Sequence, residues 1–167
     1  MWLKHAKFEI RSNFGYKVPP KSYDLEVPNL ESFFEDSHSA SKLVYCDDEI
    51  EVVNAVLKAA VAKGFDVVID CDDLAVIRAM EGKCLIVTDE ELMRGIDYRL
   101  KKTVGSMEDG IDLLIMRSFG SKRAVEQGLS RVGRYNEPCR RYKLESVPLL
   151  DKQAATELNM KIATITD

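Results

Sequence analysis

Two stretches of this chain carry residue types whose spacing can do chemistry. The first is Thr88-Asp89 followed by Arg94-Gly95-Ile96-Asp97; the second is Gln127-Gly128-Leu129-Ser130-Arg131-Val132-Gly133-Arg134. Arg131 and Arg134 stand three positions apart, which lets both guanidinium heads reach one target from the same side of a helix end or turn. Permanently charged planar forks aimed at one point suit phosphate or carboxylate. The chemistry expected of the stretch 88–141 is the binding of a polyanion.

Rigid elements must hold such groups in place, and the hydrophobic pattern supplies them from Lys42 onward. Leu43-Val44-Tyr45-Cys46 is an apolar run suited to a strand buried on both faces. An apolar stripe at Ile50, Val53, Leu57, Ala60 and Val61 then predicts an amphipathic helix, with Asp48 as N-cap, Glu51 as its capping-box partner and Gly64 as its stop. A second strand is expected over 65–69. Asp70-Cys71-Asp72-Asp73 then opens a second helix carrying Leu74, Ile77 and Met80, ended by Gly82. Cys84-Leu85-Ile86-Val87 is a third buried strand that ends at Thr88-Asp89. Residues 98–110 read as an exposed loop or small hairpin, and 111–116 as a fourth strand. Ser121 caps a helix that puts Gln127 and Arg131 on one face and loosens around Gly133; Pro138 forbids its continuation. Residues 141–145 read as an edge strand, because charges alternate with apolar residues. Residues 149–160 read as a helix and 162–165 as a last short strand. Strands alternating with helices predict a parallel sheet covered by helices, whose ligands meet the carboxyl ends of the strands. Thr88-Asp89 and Cys46-Asp47-Asp48 both fall at such ends.

Residues 1–40 are expected to be a lead-in or linker packed on the domain. Tyr23 to Val27 reads as extended and Leu30 to Phe34 as a helical turn. The 167-residue length suits one domain with a full core. No apolar run is long enough to span a bilayer and no signal-peptide core follows Met1, so an intracellular protein is expected. Cys46, Cys71, Cys84 and Cys139 are widely spaced, and His5 and His38 have no partner at ligand spacing; reduced thiols and no metal are expected. Asp47-Asp48 and the acids at 70–73 suit helix N-capping. The net charge of −4 argues against wholesale coating of nucleic acid, yet acids dominate 24–51 and bases dominate 117–143, a separation that makes a local positive field.

In order and placement, V-T-D-E-E-L-M-R-G-I-D and Q-G-L-S-R-V-G-R resemble two motifs of the second RecA-like lobe of superfamily-two helicases and translocases, over roughly residues 42–145. Those lobes carry motifs close to A-T-D-x-x-x-R-G-I-D and Q-R-x-G-R-x-G-R. The resemblance implies a three-layer RecA-like α/β domain over 41–167 with a mostly parallel sheet flanked by helices. It implies that Arg131 and Arg134 reach across an interlobe cleft toward a γ-phosphate as arginine fingers. Gln127 would order the cleft, Gly95 and Asp97 would face the nucleotide, and Thr88 would touch the nucleic-acid backbone. Ser130 stands where the family usually has Gly, and Gly128 where it often has a basic residue. The chain has no G-x-x-x-x-G-K-[ST] phosphate loop and no Asp-Glu strand end ahead of Leu43. ATP with magnesium is therefore expected only in a complete two-lobe assembly with an N-terminal RecA-like lobe, acting on DNA or RNA and on no membrane. The alternative is a non-catalytic RecA-like module that binds nucleic acid or a protein. A third reading is a different parallel α/β protein.

Overall fold

In the computed structural model, the residues described are 20, 22–36, 38–73, 82–95, 110–133 and 138–151. Their elements alternate along the chain: β1 (Leu25–Val27), α1 (Leu30–Glu35), β2 (Ser41–Tyr45), α2 (Ile50–Ala62), β3 (Asp66–Ile69), β4 (Lys83–Val87), α3 (Leu92–Gly95), β5 (Ile111–Ile115), α4 (Lys122–Leu129) and β6 (Arg141–Leu144). The strands form one six-stranded sheet in the order β1-β6-β5-β2-β4-β3. Every pairing is parallel. This is a three-layer α/β architecture of the broad RecA- and Rossmann-like class.

The central strands are continuous apolar runs because both faces are covered. Leu43, Tyr45, Leu85, Val87, Leu113 and Ile115 point to one face, against Met93 of α3 and Ala124, Val125 and Leu129 of α4. Val44, Cys46, Cys84, Ile86 and Leu114 point to the other, against Phe33 and Phe34 of α1 and Val56 and Ala60 of α2. The chain thus leaves β2 over one face and leaves β4 and β5 over the opposite one. The carboxyl end of β2 lies where these connections diverge, the crevice that parallel sheets use for ligands.

Several expectations change. β6 is not an edge: β1 pairs along its other side, with Leu25 beside Tyr142 and Val27 beside Leu144. The charges that suggested an edge are satisfied inside the protein, since Lys143 Nζ donates to the carbonyls of Leu144 (3.0 Å) and Val147 (2.6 Å). The extended stretch at 23–27 and the helical turn at 30–34 form as expected, as β1 and α1, and the Asn29 side chain accepts from Ser32 N–H. In α2 the N-cap is Glu49 and makes no side-chain capping bond, so the Asp48–Glu51 box does not form. Its buried stripe follows Val52, Val53, Val56, Leu57 and Ala60. Ile50 (74% exposed) and Val61 (58%) flank that stripe. The Ser121 cap forms as expected, accepting from Ala124 N–H at 3.1 Å. Residues 149–151 are not helical: Leu150 bridges Phe119, and Asp151 N–H donates to the Phe119 carbonyl. The helix expected from Leu74 to Met80, the 98–109 loop and the elements expected beyond residue 151 lie outside the described residues. No helix among the described residues is long and apolar enough to cross a membrane.

Candidate functional site at the carboxyl end of the sheet

Four strand ends converge around Thr88. Asp70, the residue after β3, turns back in a left-handed conformation (φ 44). Its carboxylate accepts from Thr88 N–H at 2.7 Å and from the Thr88 hydroxyl at 2.6 Å. Asp70 holds the neighbouring strand end, and the helix expected to open after it lies outside the described residues. The Thr88 carbonyl accepts from Arg117 Nη1 at 2.5 Å, and Arg117 Nε lies 3.4 Å from an Asp47 carboxylate oxygen. Arg117 therefore ties the end of β5 to those of β4 and β2. Sequence reasoning missed its role, although a lone Arg after an apolar strand at a sheet's carboxyl end was the available signal.

Arg117 also lies over the Tyr45 ring, 5.7 Å from its centroid, and that ring stacks on Phe119 at 4.9 Å. Tyr45 is fully buried and its hydroxyl has no hydrogen-bond partner among the described residues. Burial pushes the phenol up to about 12; Arg117 opposes this, and Glu90, Asp47 and Asp89 add to it. Next to it, burial likewise pushes the Cys46 thiol up to about 12, and Cys84 is raised to about 12 for the same reason. Both are inert packing thiols rather than nucleophiles. Asp47, Asp48, Asp72, Asp73, Asp89 and Glu91 are exposed around this end, so its field is negative apart from Arg117. Among the described residues no three His, Cys, Asp or Glu side chains are grouped to hold a metal ion.

The second motif sits on the same face. α3, which includes Gly95, packs against α4, so the segments following Thr88 and containing Gln127 are brought together. Gln127 is half-buried, and Arg131 is 8% exposed with its Nε donating to the Gln127 carbonyl at 2.9 Å. The face shared by Gln127 and Arg131 thus forms by direct contact. Gly128 has a steric reason: a Cβ there would meet the Phe119 ring at 2.5 Å. Ser130 fits because its backbone is right-handed (φ −80) and its hydroxyl reaches the Glu126 carbonyl. Gly133 takes φ 73, where a Cβ would meet Cys139 Sγ at 2.4 Å and Arg141 Nη2 at 2.9 Å. Arg141 is a second residue that sequence reasoning missed. Its Nε donates to the Leu129 carbonyl (2.7 Å) and its Nη2 to the Val132 carbonyl (3.1 Å), capping the end of α4. Asp97 and Arg134 lie outside the described residues.

No protein-family model matches this chain, and no curated protein matches it either. The fold is compatible with a nucleotide- or nucleic-acid-binding module of the RecA-like kind in general.

Proposed function

We propose that this chain is the C-terminal motor lobe of a nucleic-acid-dependent ATPase, a helicase or translocase, whose cleft is completed by an N-terminal RecA-like lobe bearing the phosphate loop. The observation that supports this reading is the packing of α3 on α4, which sets residues 92–95 against the helix that carries Gln127. In this reading Arg131 and Arg134 neutralise charge spreading over the transferring phosphoryl oxygens. Gln127 fixes the Arg131 stem through its carbonyl. Gly95 and Asp97 face the nucleotide, ATP with magnesium, and Thr88 meets the DNA or RNA backbone. The test is ATP hydrolysis stimulated by nucleic acid when the phosphate-loop lobe is supplied in trans. Arg134→Ala is expected to slow that rate by about a thousandfold, the usual effect of losing an arginine finger. An unchanged rate in a folded variant sinks the assignment.

The second reading, a non-catalytic module for nucleic acid or a protein partner, draws on the lack of a phosphate loop. Salt-sensitive strand binding with no ATP hydrolysis in any combination of lobes would select it.

A further inference from the structure

Thr88 presents two donors to one carboxylate. Its N–H and hydroxyl each reach a different oxygen of Asp70, at 2.7 and 2.6 Å, while the Arg117 guanidinium is bonded to the Thr88 carbonyl. A pair of converging donors can hold two oxygens of one oxyanion, and the Asp70 carboxylate spans the two that Thr88 offers. Thr88 itself is 7% exposed, so no phosphate reaches it while Asp70 stays in place. Asp70 is the only non-glycine with positive φ among the described residues. A left-handed backbone disfavours an L-residue, though Asp tolerates it better than most.

We infer that the Asp70 carboxylate is an internal stand-in for a backbone phosphate, and that a nucleic-acid strand binds this lobe by displacing it from Thr88. The inference rests on the proposed nucleic-acid contact at Thr88 and adds an autoinhibitory competitor to it. Displacement exchanges one charged acceptor for another on the same two donors and lets the Asp70 backbone relax, so the exchange is nearly balanced in hydrogen bonds. It also clears a negative charge from a rim already carrying Asp72 and Asp73. With Asp70 engaged, the free lobe holds a strand weakly. Asp47 and Arg117 stay paired on the other side and keep the cation in position.

The experiment is fluorescence anisotropy of labelled oligo-dT and oligo-U at low ionic strength, with thermal unfolding run in parallel as a check on the fold. Asp70→Asn keeps the shape and the tolerance for positive φ; Asp70→Gly removes the side chain altogether. Both are expected to bind about tenfold tighter than the unaltered chain, the scale of one charge-assisted hydrogen-bonding group. Thr88→Val, added to Asp70→Asn, should abolish that gain, and Thr88→Ser, which keeps both donors, should retain it. Asp72→Asn makes the same charge change without touching Thr88 and should alter affinity by less than about twofold. If the chain binds and Asp70→Asn matches it, or if Asp72→Asn gains as much, the stand-in is overturned and the nucleic-acid reading stands. Absence of binding by every variant overturns both.

Discussion

The two ends of this sheet treat charge in opposite ways. At the amino end, Lys42 and Asp112 lie side by side in register on β2 and β5, both fully buried and 3.4 Å apart. Their partners close around them. Asp112 accepts from Arg140 N–H (2.8 Å), Ser39 Oγ (3.1 Å) and His38 Nδ1 (2.9 Å), while Lys42 Nζ donates to the Asp36 carbonyl at 2.8 Å and lies over the Phe33 ring. Asp36 in turn accepts from Tyr142 and from His38 N–H. At the carboxyl end, the Asp70–Thr88 clamp is a single carboxylate in an exposed acidic rim, and the Tyr45 hydroxyl is left without a partner. A network with many partners locks a fold; a pair with one partner can be exchanged. The first end buries its charges among partners, and the second leaves most of its carboxylates exposed.

Breaking the amino end should cost most. Asp112→Ala leaves Lys42 buried without its countercharge and is expected to destabilise the domain by about 3–5 kcal/mol, read by chemical denaturation. A loss below about 1 kcal/mol would mean that the network is ornamental, within the range of ordinary surface pairs.

Asp36 sharpens the comparison through pH. Burial works against its charge, but the Tyr142 hydroxyl, His38 N–H, Lys42 and Arg140 outweigh it and hold the carboxyl below the usual range. A depressed folded value means that its contribution is fully present above the ordinary carboxylate range and disappears as pH falls through the folded value. Asp36→Asn should therefore cost about 1–2 kcal/mol at neutral pH, with the gap to the unaltered chain closing below about pH 4. A gap that stays constant down the acid limb would disprove the charged network.

Tyr45→Phe should have the smallest effect. Removing a buried hydroxyl that has no partner is expected to be neutral or to stabilise by up to about 1 kcal/mol in thermal unfolding, the reverse of an ordinary polar deletion. A clear loss would show that the phenol is bonded in solution.

What was legible follows from how local the information is. The runs at 43–46, 84–87 and 111–116 announce buried parallel strands because no polar face is required. Gly64 and Gly82, at φ 84 and 72, mark chain reversals that other residues resist. The stretches 88–97 and 127–134 could be singled out because each is contiguous. Side-chain partnerships across strands were not legible. Nothing near Asp112 in the sequence announces its network, since its partners His38 and Lys42 lie 74 and 70 positions away. The Asp70 clamp was hidden because an Asp at a strand end also reads as a helix cap, and only the β3–β4 register brings it to Thr88. The edge role of β6 failed because the extended stretch at 23–27 was legible but its pairing with a strand far along the chain was not.

The pairing of β1 with β6 has a consequence for how the chain comes into being. Leu25 cannot find Tyr142 on a ribosome until nearly all the described residues have emerged, and the Phe33 ring, 5.2 Å from that of Tyr142, waits with it. Ribosomal synthesis proceeds at about 5–20 residues per second, so β1 spends seconds without the strand it pairs with. Among the described strands, β1 can join the sheet only once β6 has been made, so its apolar side chains need shelter until that pairing forms.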